Sequence, residues 1–324
     1  MGNFCCFISK NRRDKDIFQE KEVKCQNTIE DKRVEFELEK EVEHEIFKEV
    51  NLKDNIEVKI AFKANHGTKC LLLDNINYKL EIQEDINDWI KNIFSYSNWT
   101  NWVVFNNQQG KDHSSKGHSK GFILWNDKEI GILNHSIPNF PSFFDGKNIS
   151  DVDKSELVYA QHLCFINKIP ILQLKDILNI LMNKDPHIIF EKHSLKLKTL
   201  KNPKVLEHEI SSQLTYISKN EHLHNCIYLD HIVEKYECEL KVQSWIRQKN
   251  TVDNKNVIKA KNIKWPIEDI KYKSTQDHSK YFISNNGFVG FSDLNLMESQ
   301  KKRGGGSLII KDEKIYNLLK DMIE

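Results

Sequence analysis

The chain has 324 residues, which is enough for one large domain or two ordinary ones with a substantial core. Hydrophobic residues make up 39% and charged residues 29%, a balance typical of soluble globular proteins. The net charge of +1 excludes a global excess of basic residues, so a surface for an anionic partner requires a local concentration of Lys and Arg.

The sequence lacks two features of exported or membrane-spanning proteins. No apolar run reaches the roughly 18 residues that span a bilayer, and the short apolar start precedes its basic residues, unlike a secretory signal. The seven cysteines are an odd number and none has CxxC spacing. We therefore expect a cytoplasmic protein with reduced thiols and no zinc site.

Residues 1–54 are predicted to be an N-terminal extension that is dense in Glu and Lys. At its start, Gly2 is followed by Cys5, Cys6 and a basic cluster. Myristate on Gly2, together with a palmitoylated cysteine or the basic cluster, would hold the chain on the cytosolic face of a membrane. The myristoylation pattern normally has Ser or Thr at position 6, where this chain has Cys6. An unmodified, solvated arm is the alternative.

From residue 55 onward the hydrophobic pattern changes repeatedly between the period of a strand and the period of a helix. Alternation or short apolar runs predict strands over 56–60, 71–73, 103–105, 122–125, 130–133, 281–284, 288–291 and 308–310. Apolar stripes predict helices over 82–93 and 171–182 and a last helix through 318 and 322. Asn285-Asn286-Gly287 is a strong turn signal. The mixture favours a layered α/β or α+β domain.

Two segments share the tripeptide His-Ser-Lys: His118 to Lys120, and His278 to Lys280. Strand-forming residues follow each segment. Because residues two apart on a strand point to the same face, the His and Lys of each unit would project together. Lys neutralises phosphate charge, and His can attack phosphorus or donate a proton. Two such units brought together would bracket a single phosphodiester.

A longer spacing pattern follows the second unit. Four residues after Lys280 lead to Asn285, six more lead to Ser292, and Asn295 ends the run. This pattern resembles the signature of the phospholipase D superfamily: HxK, four residues, Asp or Asn, six residues, then two small residues and Asn. Ser292 and Asp293 stand where that signature usually has Gly and Ser.

Further motifs narrow the resemblance to the deoxyribonuclease II family, a branch of that superfamily. Asn107 and Gln108 lie in a segment similar to the family's YNDQ-type stretch. His135 lies in a segment similar to its HSxPxFP stretch. Counterparts of further family segments follow in the same order at 242–245, 273–280 and 303–306.

The resemblance implies one large α/β (α+β) catalytic domain over residues 55–324: a phospholipase D-like, pseudo-twofold, duplicated mixed β-sheet sandwich flanked by helices. It also implies endonucleolytic hydrolysis of DNA to 3′-phosphate ends, with no metal and no cofactor. One histidine would form a phosphohistidine and the other would protonate the leaving oxygen. We expect His118 to be the nucleophile and His278 the general acid, although their near-symmetry leaves the reverse open.

The same resemblance implies roles for other residues. Lys120 and Lys280 would hold the phosphate oxygens, Asn295 would contact the same phosphate, and His135 would be functionally important. The candidate substrate-binding residues are Asn107, Gln108, Asn285 and Ser292. Because histidine titrates at a pKa of about 6.5, the family chemistry implies an optimum on the acid side of neutral.

The chain departs from the family at two cysteine positions. The family usually has one cysteine just after the second HSK and another shortly before its Asn. Phe282 and Gly290 occupy those positions here, so that disulfide cannot form. The loss fits a reducing compartment.

Two alternatives to a DNA endonuclease stay open. One is a phospholipase D-like phosphodiesterase acting on lipid or a small nucleotide, which a lipid anchor would suit. The other is a catalytically silent, DNA-binding homologue, although both histidines are intact. DNA is the expected partner, and a homodimer is also left open.

Overall fold

The sheets described below come from a computed structural model, which describes residues 55–95, 97–200, 202, 204–245 and 251–324. The predicted acylation residues Gly2, Cys5 and Cys6 lie outside the described residues, as does the rest of the predicted extension. Among the residues that the structure describes, no helix is both long enough and apolar enough to cross a membrane.

Eight antiparallel strands form the first sheet, in the spatial order β3-β2-β1-β7-β6-β5-β4-β8. Their bounds are β1 Glu57–Lys63, β2 Cys70–Asp74, β3 Glu81–Gln83, β4 Asn101–Asn106, β5 Lys120–Trp125, β6 Glu129–His135, β7 Gln161–Pro170 and β8 Ile188–Lys192. The predicted strands in this half are confirmed. Most of their residues are buried on both faces, which explains their nearly continuous apolar runs.

The second half of the chain contributes nine strands. Their bounds are β9 Val205–Ser211, β10 Leu214–Lys219, β11 Leu240–Gln243, β12 Val257–Lys259, β13 Asn262–Lys264, β14 Lys271–Lys273, β15 Tyr281–Ser284, β16 Val289–Ser292 and β17 Gly305–Ile310. Seven of them form the second sheet, in the order β12-β11-β15-β16-β17-β10-β9, and β13 pairs with β14 alone. The predicted turn joins β15 to β16, where Gly287 has a φ of 84° that favours glycine.

Four α-helices accompany the sheets in the described part of the chain: α1 Ile86–Ser95, α2 Leu174–Asn183, α3 Glu234–Tyr236 and α4 Glu313–Leu319. A π-helical turn, Tyr228–Val233, leads into α3. Short 3₁₀ helices cover Lys154–Val158, Ile171–Gln173, Ser274–Gln276 and Glu298–Lys302. The helix predicted over 82–93 was wrong at its start, because Ile82 lies in β3 and pairs with β2.

The two sheets pack face to face and share one hydrophobic core with α2 and α4. The ring centroid of Phe62 on β1 lies 5.1 Å from that of Tyr281 and 5.9 Å from that of Phe291, both in the second sheet. Smaller clusters cover the outer faces, with α1 against the first sheet and the π-helical turn against the second. This mixed α/β arrangement confirms the predicted fold class.

The two sheets repeat one another in strand order. The series β4-β5-β6-β7-β1 has its counterpart in β11-β15-β16-β17-β10. Lys63 ends β1 and Lys219 ends β10, and each buried Nζ donates to the carbonyl of the next residue and to the carbonyl four positions on. Each also reaches the 3₁₀ helix before β7 or β17, at Leu157 or Lys301. The specific likeness to the phospholipase D superfamily stays a prediction from motif spacing.

Candidate active site

The two His-Ser-Lys units lie immediately before, or at the start of, the equivalent strands β5 and β15. The backbone N–H of His118 donates to the carbonyl of Gly304, just before β17, at 2.8 Å. The backbone N–H of His278 donates to the carbonyl of Ala160, just before β7, also at 2.8 Å. Each histidine is thus anchored in the same way. The two units meet at residues 292–293, because the Ser292 N–H donates to the Lys280 carbonyl at 2.7 Å and the Asp293 carbonyl oxygen lies 2.8 Å from His118 Nδ1.

His118 is held in one tautomer. The residue is 7% exposed, and Nδ1 lies 2.8 Å from the carbonyl oxygen of Asp293. A carbonyl oxygen only accepts, so Nδ1 carries the proton and a neutral ring has its lone pair on Nε2. Burial, and then the nearby cations Lys120, Lys280 and Arg303, lower the pKa of His118 well below its ordinary value. The neutral, nucleophilic form is favoured.

His278 has different surroundings. Its ring stacks on Tyr159, with centroids 4.0 Å apart and planes inclined by 13°. The ring of Trp245 lies 4.5 Å away at 53°. Electron-rich aromatic faces attract a cation. The two histidines therefore have different neighbours, aromatic rings beside His278 and the Asp293 carbonyl beside His118.

The two lysines of the units are both buried. Lys120 Nζ donates to Asn107 Oδ1 at 2.8 Å, and Lys280 Nζ donates to the His278 carbonyl at 2.9 Å. Burial lowers the pKa of Lys280 to about 8. Burial, followed by repulsion from Lys280 and Arg303, lowers the pKa of Lys120 well below its ordinary value. An anion bound between them would restore both charges.

His135 is buried close to these lysines. Its Nδ1 accepts the backbone N–H of Ile137 at 3.2 Å, so its proton lies on Nε2. Among the described residues, Nε2 has no hydrogen-bond partner. Burial and the charges of Lys120 and Lys280 lower the pKa of His135 well below its ordinary value. The ring therefore offers a neutral N–H donor beside the lysine pair.

A chain of buried hydrogen bonds connects the two units. The backbone N–H of Lys280 donates to His162 Nδ1 at 3.1 Å. Because Nδ1 accepts, the proton of the neutral His162 ring is on Nε2, which donates to Asn134 Oδ1 at 2.9 Å. Asn134 Nδ2 donates to Asp293 Oδ1 at 2.8 Å. Lys184 Nζ lies 2.8 Å from Asp293 Oδ2, and both side chains are 0% exposed. Asp293, whose backbone carbonyl orients His118, is therefore held from several directions.

Sequence reasoning did not single out Asn134, His162 or Lys184 as parts of the site. Asp293 was noticed only as a departure from the superfamily signature. Lys184 has no motif around it, and its partner is 109 residues away. For Asn134 the available signal was its position next to His135 in the HSxPxFP-like segment.

The other residues predicted to belong to the site have different positions in the fold. Asn107 is buried, and its Nδ2 donates to Asp112 Oδ1. Gln108 follows it and is half-buried, and its backbone N–H donates to Asn106 Oδ1. The Ser292 hydroxyl, at the end of β16, donates to the Gly306 carbonyl and accepts from the Ser307 hydroxyl, both on β17. Asn295 is buried, but in the described part of the chain it makes no hydrogen bond to the side chains of the two His-Ser-Lys units.

Asn285 is not brought to the site. It lies in the turn between β15 and β16, at the opposite end of β15 from Lys280. Its Oδ1 accepts the backbone N–H of Glu239 at 2.9 Å. At about 3.3 Å per residue, five residues of strand separate it from Lys280 by roughly 16 Å. Its observed contacts are those of a residue that orders the turn.

Arg303 joins the rim of the site to the loop before His118. Its guanidinium donates to the carbonyls of His113 and Lys116. His113 stacks on His187, with centroids 3.6 Å apart. Gly304 is needed for a close approach, since a Cβ there would lie 2.1 Å from the Lys184 carbonyl oxygen. The described residues contain no group of three or more His, Cys, Asp or Glu side chains arranged to hold a metal ion.

Comparison with known proteins gives one family. A family model described as deoxyribonuclease II matches residues 63–324. Cell-death-related nuclease 7 of Caenorhabditis elegans is 27% identical in an alignment of 237 residues that covers 63% of this chain and 62% of the relative. Deoxyribonuclease-2-alpha of Sus scrofa is 25% identical in an alignment of 254 residues that covers 69% of each chain. Deoxyribonuclease-2-beta of Rattus norvegicus is 24% identical in an alignment of 226 residues that covers 62% of this chain and 63% of the relative. The match therefore spans less than two thirds of the length of some relatives.

Proposed function

This chain belongs to the deoxyribonuclease II family, and from that premise we propose that it is a DNA endonuclease that acts without a metal ion. The observation that carries the proposal is the opposite surroundings of its two histidines. His118 is buried among cations with its proton fixed on Nδ1, whereas the His278 ring stacks on Tyr159 and lies beside the tilted ring of Trp245. Acid–base and nucleophilic catalysis need one neutral and one protonated imidazole.

In the first step, the lone pair on His118 Nε2 attacks phosphorus. The bond between phosphorus and the leaving 5′-oxygen breaks, and its electron pair stays on that oxygen. His278 donates its proton to the same oxygen, so a neutral hydroxyl leaves. The product is a phosphohistidine that carries the strand ending in the 3′-oxygen.

In the second step, the now neutral His278 removes a proton from water, and the resulting hydroxide attacks phosphorus. The bond to His118 Nε2 breaks, its electron pair returns to the ring, and the strand leaves with a 3′-phosphate. Lys120 and Lys280 bind the non-bridging oxygens throughout. The Nε2–H of His135, which lacks a partner among the described residues, donates to the same phosphate.

Plasmid nicking in EDTA at pH 5 and pH 7 tests this function. Wild-type protein should nick the plasmid, and the new ends should require phosphatase treatment before a polymerase can extend them. His118→Ala and His278→Ala should each lose activity about 10²-fold or more. His208→Ala is a matched control, since His208 lies on the edge strand β9 and contacts Gln173. No nicking at either pH, or dependence on added metal, would overturn the proposal.

The same assay distinguishes the alternatives. A catalytically silent homologue would bind the plasmid without nicking it. A phosphodiesterase for lipid or small nucleotides would cleave those substrates and leave the plasmid intact.

Acylation at Gly2, Cys5 or Cys6, with membrane tethering, is a separate proposal from the sequence, and a mass spectrum of the expressed protein tests it. Size-exclusion chromatography with light scattering tests the homodimer.

A further inference from the structure

The two halves of the site differ at equivalent positions. Arg303 precedes Gly304, which anchors His118, and Tyr159 precedes Ala160, which anchors His278 in the same way. The residue before each anchor is therefore cationic on one side and aromatic on the other.

A second equivalent pair shows the same difference. On β4, Asn106 pairs with Lys120, and Asn107 follows it. On β11, Gln243 pairs with Tyr281, so the continued register sets Ser244 opposite Lys280, with Trp245 next. Asn107 and Trp245 thus hold matching positions. The His118 side carries a guanidinium and an amide, and the His278 side carries two aromatic rings.

The aromatic side faces outward in part. Tyr159 and Trp245 are both partly exposed, with ring centroids 6.5 Å apart. Val158, beside Tyr159, is 46% exposed. Guanidinium and amide groups bind phosphate oxygens, whereas aromatic rings bind the faces of nucleobases with little sequence preference. The two sides of the scissile phosphate therefore meet different chemistry.

We propose that Tyr159 and Trp245 form a nucleoside subsite that takes the base of the nucleotide whose 5′-oxygen leaves. This inference rests on the proposed function, in which His278 protonates that oxygen. The nucleoside joined through the oxygen must lie beside His278, where the two rings are. The nucleotide on the other side would meet the partly exposed guanidinium of Arg303.

A pair of oligonucleotides tests the subsite. Each is a single-stranded thymidine hexamer with one phosphodiester and methylphosphonates at its other linkages. One carries thymine on the 5′-oxygen side of the cleavable bond, and the other carries an abasic tetrahydrofuran residue there. Wild-type protein should favour the thymine-containing substrate about tenfold in kcat/KM, which is within the range of base–aromatic stacking.

Trp245→Leu and Tyr159→Leu should bring this ratio close to one. They should slow cleavage of the thymine substrate more than cleavage of the abasic substrate, since the abasic substrate loses only the effect of the rings on His278. Trp245→Phe should keep most of the ratio, which guards against misfolding of the smaller variant. Tyr236→Leu is the matched control, since Tyr236 packs on Phe288 at the far end of the β15–β16 hairpin. An abasic residue on the 3′-oxygen side should affect wild type and variants equally.

Equal losses on both substrates, with the ratio unchanged, would overturn the subsite and leave the rings as positioning residues for the His278 imidazole. Dissociation constants of fluorescein-labelled forms of the two oligonucleotides, measured by anisotropy, should show the same ratio. Because binding needs no cleavage, these constants still decide the subsite if wild-type protein fails to cut. That failure would count against the proposed function alone.

Discussion

His118 Nδ1 lies 2.8 Å from the carbonyl oxygen of Asp293, a residue 175 positions later in the chain. A backbone carbonyl cannot ionise, so the proton stays on Nδ1 over the whole working range of pH. The Asp293 backbone is held in turn, because its carboxylate accepts from Asn134, Lys184 and the Gly306 N–H. The nitrogen proposed as the nucleophile is therefore oriented by a contact between the two halves of the repeat.

The roles proposed for the two histidines predict how each variant cleaves a substrate with a good leaving group. His278→Ala should lose about 10²- to 10⁴-fold on DNA. With thymidine 3′-(p-nitrophenyl phosphate), whose leaving group needs no proton, it should release about one equivalent of nitrophenolate in a burst. The base for the second step is missing, so a protein with thymidine 3′-phosphate bonded to His118 should accumulate, and mass spectrometry should detect it.

His118→Ala should show neither the burst nor the thymidine 3′-phosphate adduct, because it lacks the attacking nitrogen. If His118→Ala gave the burst and His278→Ala did not, the two roles would be reversed.

The buried ion pair between Lys184 and Asp293 predicts an effect on stability. Lys184→Met should lower the free energy of unfolding by about 3–5 kcal/mol, because the Asp293 carboxylate stays buried without its cation. Lys184→Met combined with Asp293→Asn should recover at least half of that loss. Lys235→Met should change stability by less than about 1 kcal/mol, since its pair with Glu207 is solvent-exposed. Urea denaturation measures the free energy of unfolding of all three variants. An equal loss of stability in Lys184→Met and in the double variant would contradict the proposed role of the ion pair.

Lys280 predicts the alkaline limit of activity. Burial lowers the pKa of its ammonium from the ordinary value to about 8, so the group is charged below that pH and loses its charge above it. The kcat/KM of wild-type protein should therefore fall as pH rises through about 8. Lys280→Arg should move this fall to higher pH, because a guanidinium stays charged. A pH profile that is the same in both proteins would assign the limit to another group.

Phe282 and Gly290 predict a packing effect. They pair directly across β15 and β16, and a Cβ at position 290 would lie 2.1 Å from Cζ of the Phe282 ring. Gly290→Ala should thus lower the free energy of unfolding by about 1–3 kcal/mol. Gly67→Ala is the control, because nothing lies within 4 Å of a Cβ there. Equal urea midpoints for the two variants would contradict this account.

Several elements of the fold follow from local patterns. The apolar residues of β5 and β6 and the stripe Ile86, Ile90 and Ile93 on α1 were predicted, because burial of a strand or a helix face imposes a period that the sequence displays. Ile82 was placed in the wrong element, because its spacing continues the helical stripe although it pairs in β3. Asn285 keeps the predicted spacing from Lys280 but orders a turn.

The sequence by itself determined the family resemblance and the two His-Ser-Lys units, because a strand keeps the first and third residues of a tripeptide on one face whatever surrounds it. Only the tertiary structure decided how the two histidines differ. The tautomer of His118 depends on Asp293, and the surroundings of His278 depend on Tyr159 and Trp245. Those contacts join segments far apart in the chain, and no local periodicity records which buried donor will meet which carbonyl.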